Sequence, residues 1–244
     1  MFVGLGTVIN VSAIIAGSLL GLLVGGRFKE STRNLITSTL GFITLLAAMD
    51  SIKNVWNQQL ASAFPRGWTM LVILFSLLCG ALIGSWLGLE DRLESLGHTL
   101  KDKLDKNGTS PFVEGFVAAS LLFVIGPMAI LGSISDGMGT GIDQLVLKSI
   151  LDGITSIAFA ASLGWGVAVS ALPVGIYQGL WTAVGLFLGK VLPDYQILTM
   201  TAVGGILLLG ISFRLIKIAQ IQVGNLLPAL FLAPIFAALV HQFA

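Results

Sequence analysis

Apolar residues run through this chain in blocks of about twenty, separated by short polar connections, and blocks of that length match a bilayer's hydrocarbon core. A sliding window of about 19 residues places them near 2 to 25, 34 to 52, 67 to 89, 112 to 134, 145 to 164, 170 to 189, 195 to 216 and 223 to 243. The pattern predicts an all-α, polytopic membrane protein of eight transmembrane helices, or seven if the region 145 to 189 holds one span fewer. Residues 1 to 244 then form a single integral-membrane domain. Between the third and fourth blocks lies EDRLESLGHTLKDKLDKNGT, and its mixture of charges and leucines predicts an amphipathic cytoplasmic segment over about residues 90 to 110.

Within the fourth block the run FVIGPMAILGSISDGMGTG sets Gly126 beside Pro127. Proline lacks an amide donor and clashes with the preceding turn, so the helix is expected to kink or break near residues 123 to 126. Past the break, Ser133, Ser135 and Asp136 precede Gly137, Gly139 and Gly141, whose missing side chains allow irregular backbone; the alternative is an ordinary proline kink followed by an extracytoplasmic turn. Backbone of that kind survives at membrane depth only when it is buried in protein or lines water. Pro173, Pro228 and Pro234 fall in later blocks, where neighbouring helices can satisfy the freed carbonyls.

Comparing the chain with itself at an offset of 164 aligns the 33 residues from Gly21 with those from Gly185 without a gap. Gly21 meets Gly185, Gly25 meets Gly189, Gly41 meets Gly205 and Lys53 meets Lys217. The copies span about 10 to 53 and 174 to 217, and with five spans between equivalent elements the second enters the membrane from the opposite side. This predicts an inverted repeat, the arrangement that lets secondary transporters alternate access about a midplane site. Glycines four apart at Gly17, Gly21 and Gly25, echoed by Gly80, Gly84 and Gly88, read first as close helix packing.

Composition sharpens the class. Hydrophobic residues make up 55% of the chain and charged ones 10%, with a mean hydropathy of +0.95, and a soluble domain of this length needs a far larger charged shell. The first block lacks the basic n-region of a secretory signal and reads as a retained span. The lone cysteine, Cys79, points to no internal disulfide. A net charge of +1 offers nothing to nucleic acid, so the partner the sequence implies is the lipid bilayer, with a homo-oligomer as a further option.

Lysines and arginines in short loops orient a membrane protein. With the N-terminus outside, the inside connections hold Arg27, Lys29, Arg33, Arg92, Lys101, Lys103, Lys106, Arg214 and Lys217, and the outside ones Lys53, Arg66, Lys148 and Lys190. Nine against four puts both termini on the extracytoplasmic side.

Ionisable and polar groups inside the blocks are the candidates for function, because they are expensive there. Lys148 and Asp152 lie four apart on one helical face, with Ser149 and Ser156 beside them. One reading is a polar stripe along a pathway; the other sets Lys148 in the outer interface, neutralising Asp152. Asn10 in the first block and Gln178 and Thr182 in the sixth need partners, either other helices or a solute. With Asp136 and Ser133 beyond the break at Gly126 and Pro127, these residues form the proposed substrate or pathway set. Asp50 and Lys53, with Arg214 and Lys217 in the second copy, read as interfacial helix caps.

Catalytic readings find little support. His98, His241 and Cys79 cannot assemble a metal cluster, and no phosphate-binding glycine loop is present, so neither metal nor cofactor is implied. An acid pair of Asp136 and Asp152 is conceivable, but GTGID at 139 to 143 departs from the Gly-x-Gly-Asp of intramembrane aspartyl proteases. The chain reads as a non-enzyme.

The runs GPMAILGSISDG, LKSILDGITSIAFAASLGWGVAVSALPV and YQGLWT, with the opening GTVINVSAIIAGSLLG, resemble a family of bacterial inner-membrane proteins, domain of unknown function 554. The similarity spans nearly the whole chain. It implies a multi-pass helical fold in the inner membrane and carries no substrate, activity or site residue. The function expected from the residues is a transporter or channel-like protein for a small polar solute or ion; the alternative is a non-transporting scaffold that acts through helix packing and oligomerisation.

Overall fold

The structure, a computed structural model, describes residues 2–26, 28–65, 67–104, 111–188 and 192–242. Arg27, Arg66, Lys106, Gly189 and Lys190 lie outside the described residues, as do 105 to 110 of the amphipathic segment. Among the described residues the secondary structure is helical throughout, without strands.

The long helices are α1 (Leu5–Gly25), α2 (Glu30–Ile52), then, after a short α3 (Gln58–Ala63), α4 (Trp68–Leu87). Next come α5 (Leu89–Leu104), the half-length α6 (Phe112–Val124) and α7 (Pro127–Gly137), and α8 (Asp143–Leu163). A four-residue α9 (Gly166–Val169) leads to α10 (Ala171–Leu188), α11 (Asp194–Leu215) and α12 (Pro228–His241), and 3-10 turns precede α3 and α12. Seven helices or joined helix pairs are long and apolar enough to cross a membrane, and α6 with α7 makes an eighth as a bent span. α3 lies in a connection the hydropathy pattern leaves blank; Asn57 caps it by accepting from the Gln59 amide at 2.9 Å.

The bend between α6 and α7 is 62°. α6 closes with the Ile125 amide donating to the Leu121 carbonyl, and Gly126 follows at φ 142°, ψ 149°. That conformation belongs to glycine, and an extended residue is what must precede a proline. Pro127 then opens α7 at a first-turn position, where its missing amide leaves no vacancy in the ladder. Thus Gly126 makes the break and Pro127 starts the second half, whereas the sequence assigned the break to a proline clash. The helix runs on through Ser133, Ser135 and Asp136 to Gly137, and the irregular backbone expected of the glycines falls at the later ones. Only residues 138 to 142 leave the helical ladder, with Gly139 at φ 69° and Gly141 at φ 149°.

Polarity is distributed as a bilayer demands. Trp86, Phe187 and Leu82 are 85%, 80% and 72% exposed, while Asn10, Ser133, Ser156 and Gln178 are fully buried. Apolar side chains facing lipid need no protein partner, so burial falls to the groups that do.

Two compact units divide the chain: residues 1–40 with 94–191, and 41–93 with 192–244. In the first, α1 and α8 run side by side in the same direction at backbone contact. A Cβ on Gly17, Gly21 or Gly25 would overlap the carbonyl oxygens of Gly153, Ile157 and Ala161 respectively. α7 and α10 meet as closely, since a Cβ on Gly137 would strike the Thr182 carbonyl and one on Gly185 that of Ile134. In the second unit Gly80 and Gly84 press against Ala229 and Asn225. The glycine rows are packing seams, apart from Gly88, which takes φ 58° as the α4 C-cap.

At the 164-residue offset Glu30, at the start of α2, falls on Asp194, at the start of α11. In the second unit a Cβ on Gly41 would lie 2.5 Å from Ile216 Cγ2, and one on Gly205 would lie 2.8 Å from the Ile52 amide nitrogen. Adding 164 to 41 and to 52 gives 205 and 216, so the two contacts exchange equivalent residues. In the first unit a Cβ on Gly175 would sit 3.1 Å from Val11 Cγ2, and Val11 and Gly175 are themselves 164 apart.

Candidate polar site within the membrane helices

α8 carries Lys148 and Asp152 one turn apart, and their side chains meet at 2.7 Å with 9% exposure each. Lys148 lies inside α8 and is buried, and Arg214 lies inside α11 with its side chain 14% exposed, so both leave the loop tally, which becomes eight basic residues against three. Asp152 also accepts a hydrogen bond from Asn10 Nδ2 of α1 at 3.0 Å. The Asn10 amide therefore bridges the α1–α8 seam to an ion pair held within α8, and glycine backbones allow the approach that brings them into reach. The Lys148 ammonium lies 6.0 Å from the centre of the Phe123 ring, close to the α6 terminus, so the ion pair lies near the helix break. A lone charge in this setting would be costly, but a paired and hydrogen-bonded one is tolerable.

α1 and α10 cross in opposite directions: Thr7 Oγ1 stands 3.4 Å from Thr182 Oγ1, and Val11 faces Gly175. Gln178, four residues before Thr182, shares its helical face, as Asn10 does that of Thr7. This register sets Gln178 level with Asn10. Its amide nitrogen and oxygen both lack hydrogen-bond partners, as do Asn10 Oδ1 and the hydroxyls of Ser18, Ser120 and Ser156. Buried polar atoms are almost always satisfied, so a group of orphans along α1, α6, α8 and α10 asks for something to bond to.

Asp136 behaves differently. Its two carboxylate oxygens accept from the Gly4 amide at 3.1 Å and the Gly6 amide at 2.9 Å, holding the start of α1. Negative charge at a helix N-terminus offsets both the unfilled donors and the macrodipole. Asp136 and Asp152 thus serve separate partners. Ser133 bonds back to the Ala129 carbonyl of its own helix at 2.6 Å. Of the sequence candidates, Asn10, Lys148 and Asp152 are brought into one network. Gln178 and Thr182 border it across the α1–α10 crossing, whereas Asp136 and Ser133 are engaged in local structure.

The sequence offered no sign of the second unit's own polar node. Glu90, 2% exposed, pairs with Arg214, accepts from the Gly224 amide at 2.6 Å, and donates its own amide to Asn225 Oδ1 at 2.9 Å. Glu90 reads as a solvated residue of an amphipathic helix, and its position two residues after the α4 C-cap glycine, Gly88, was the available clue. Asp50 and Lys53 do pair, and both are exposed as interfacial residues should be.

Comparisons with other chains follow the same outline. A family profile described as "Protein of unknown function (DUF554)" matches residues 5–238. The chain is 30% identical over 239 residues to the uncharacterized membrane protein YdfK of Bacillus subtilis, with 98% of this chain and 97% of that one covered. It is 31% identical over 246 residues to the uncharacterized protein YqgA of Escherichia coli, covering 98% and 99%. No solved structure matches significantly.

Proposed function

The chain belongs to this family of proteins of unknown function, and on that premise we propose that it is a transporter or channel-like protein of the bacterial inner membrane that moves a small polar solute or ion. The observation that carries the reading is the polar network of Asn10, Lys148 and Asp152, bordered by the partnerless amide of Gln178, where α1 and α10 cross. That crossing brings together Val11 and Gly175, equivalent positions of the two sequence copies. The antiparallel crossing of α1 and α10 at equivalent positions, beside a polar network, supports the reading of alternating access about an inverted repeat.

The scaffold reading draws on the glycine seams, which join α1 to α8 and α7 to α10 without any solute. It leaves the orphaned amides and hydroxyls without a role, and they favour transport.

The test is a solute and ion screen on vesicles reconstituted with the full chain, with Asp152→Asn as the paired variant. Wild type is expected to move at least one solute above protein-free vesicles, and the variant to move it about tenfold more slowly, the effect of losing a charge-assisted interaction. A screen in which nothing moves, or in which the variant matches wild type, would sink the transport reading.

A further inference from the structure

We propose that the chain binds the phosphate of an anionic membrane phospholipid in a small cavity at the C-terminal ends of α1 and α8. The site lies apart from the Asn10, Lys148 and Asp152 network and does not depend on the transport reading.

A cavity of about 110 Å³ opens where these two helices end. Leu22, Ala160 and Ala161 line it about one turn inside the helix ends, and Gly26, Arg33 and Trp165 line it at and beyond them. Because α1 and α8 run in the same direction, both ends lie on one face of the membrane, where the apolar spans give way to polar connections. That is the depth of the phospholipid headgroups, and a tryptophan 47% exposed suits it. The glycines give the cavity its form. Gly164 ends α8 at φ 82°, a conformation that favours glycine. At the mouth, a Cβ on Gly26 would meet nothing nearer than the Leu22 carbonyl oxygen at 3.8 Å.

Arg33 supplies the charge and is held in place from two sides. Its Nη2 donates to the Gly25 carbonyl of α1 at 2.9 Å, while its own carbonyl accepts from Ser162 Oγ of α8 at 2.7 Å. Among the described residues no carboxylate forms an ion pair with it. The connection of residues 26 to 33 carries Arg27, Lys29 and Arg33 against Glu30, a net charge of +2. The two helix ends oppose an anion with about half a negative charge each, which that surplus exceeds.

The shape selects the kind of anion. A guanidinium has five N–H donors in a planar fork matched to phosphate oxygens, and the bond to Gly25 uses one of them. The volume is that of about four waters at about 30 Å³ each, room for one phosphate group. Leu22, Ala160 and Ala161 lie about 5.4 Å deeper, where the glycerol esters and first methylenes of a lipid follow its phosphate. Free phosphate gains nothing from such an apolar wall, so the occupant is the lipid.

The full chain in detergent is given phosphatidylglycerol or phosphatidylcholine, and bound lipid is counted by native mass spectrometry. One phosphatidylglycerol per chain is expected, at about fivefold higher affinity than phosphatidylcholine, the scale of one basic group acting on an anionic headgroup. Arg33→Gln is expected to remove that preference. Since Arg33 also holds the end of α1, a second pair of variants acts without touching it: Gly26 has φ −59° and open space around a Cβ, so Gly26→Asp and Gly26→Lys both fit the fold. Gly26→Asp is expected to weaken phosphatidylglycerol about fivefold and Gly26→Lys to strengthen it as much. Equal binding of the two lipids by wild type overturns the proposal, as does a Gly26 pair that binds phosphatidylglycerol alike or a folded Arg33→Gln that keeps the preference. Excess inorganic phosphate is expected to leave the lipid bound; its displacement would assign the cavity to free phosphate and overturn the lipid.

Discussion

Carboxylates in this chain differ in what they are bonded to, and that decides what their loss would do. Asp136 holds two amides at the start of α1 and takes no part in the Asp152 network. Asp136→Ala is expected to lower stability by about 2 kcal/mol, the scale of a lost helix cap with buried donors exposed. A fall in melting temperature in detergent, with the flux per folded molecule retained, is the result to look for. Unchanged melting would mean the cap carries no load. Asp152 reverses the pattern, because its partners are a lysine and an asparagine within membrane helices, and its removal leaves the Lys148 charge uncompensated. Glu90 shows what reading residue by residue misses: its carboxylate finds Arg214 and Gly224 only because the chain returns to it after more than a hundred residues.

Among the elements, the bent pair α6 and α7 is the one whose geometry hangs on a single residue. A Cβ at Gly126 would meet nothing within 4 Å, so a substitution there changes backbone strain alone. With φ at 142° and ψ at 149°, Gly126→Ala is expected to destabilise by about 1–3 kcal/mol. A change of Gly4→Ala is a control of the same kind, also in open space at φ 92°. If Gly126→Ala melts like wild type, the bend does not depend on that conformation. The glycine seams follow a different rule: at Gly17, Gly21 and Gly25 the obstacle is the neighbouring backbone, which cannot move aside as a flexible side chain can. Hydropathy placed most long helices within a few residues of where they lie, because length and apolarity alone decide insertion. The break in the fourth span was read instead from Gly126 and Pro127, and the structure puts it in the torsion angles of Gly126, which are not visible in composition.

At the scale of the whole molecule, orientation follows from charge. The expectation of extracytoplasmic termini, with α5 on the cytoplasmic side, rests on the loop charges of the sequence alone. In a chain with Cys79 replaced, single cysteines at Phe2 and Gln242 are expected to react with an impermeant maleimide in intact cells, and one at His98 only after permeabilisation. The opposite labelling would invert the arrangement. The 164-residue offset belongs to this scale too. It was legible as eight identities in an apolar alignment, which biased composition partly explains. Gly41 packs against Ile216 and Gly205 against Ile52, two contacts whose residues are 164 apart in pairs.

The sequence by itself determined the helical membrane class, the span positions, the bent fourth span, the packing role of the glycines and the residues worth watching. These are consequences of local chemistry: apolar length, the scarcity of charge, and the absence of a side chain. Only the tertiary structure decided which polar residues share a site. It joined Asn10 to Asp152, buried Gln178, assigned Asp136 to a helix end and buried Glu90. Hydrogen bonds are satisfied between helices far apart in the chain, and the register of one helix against another is fixed by backbone contact that no single segment encodes.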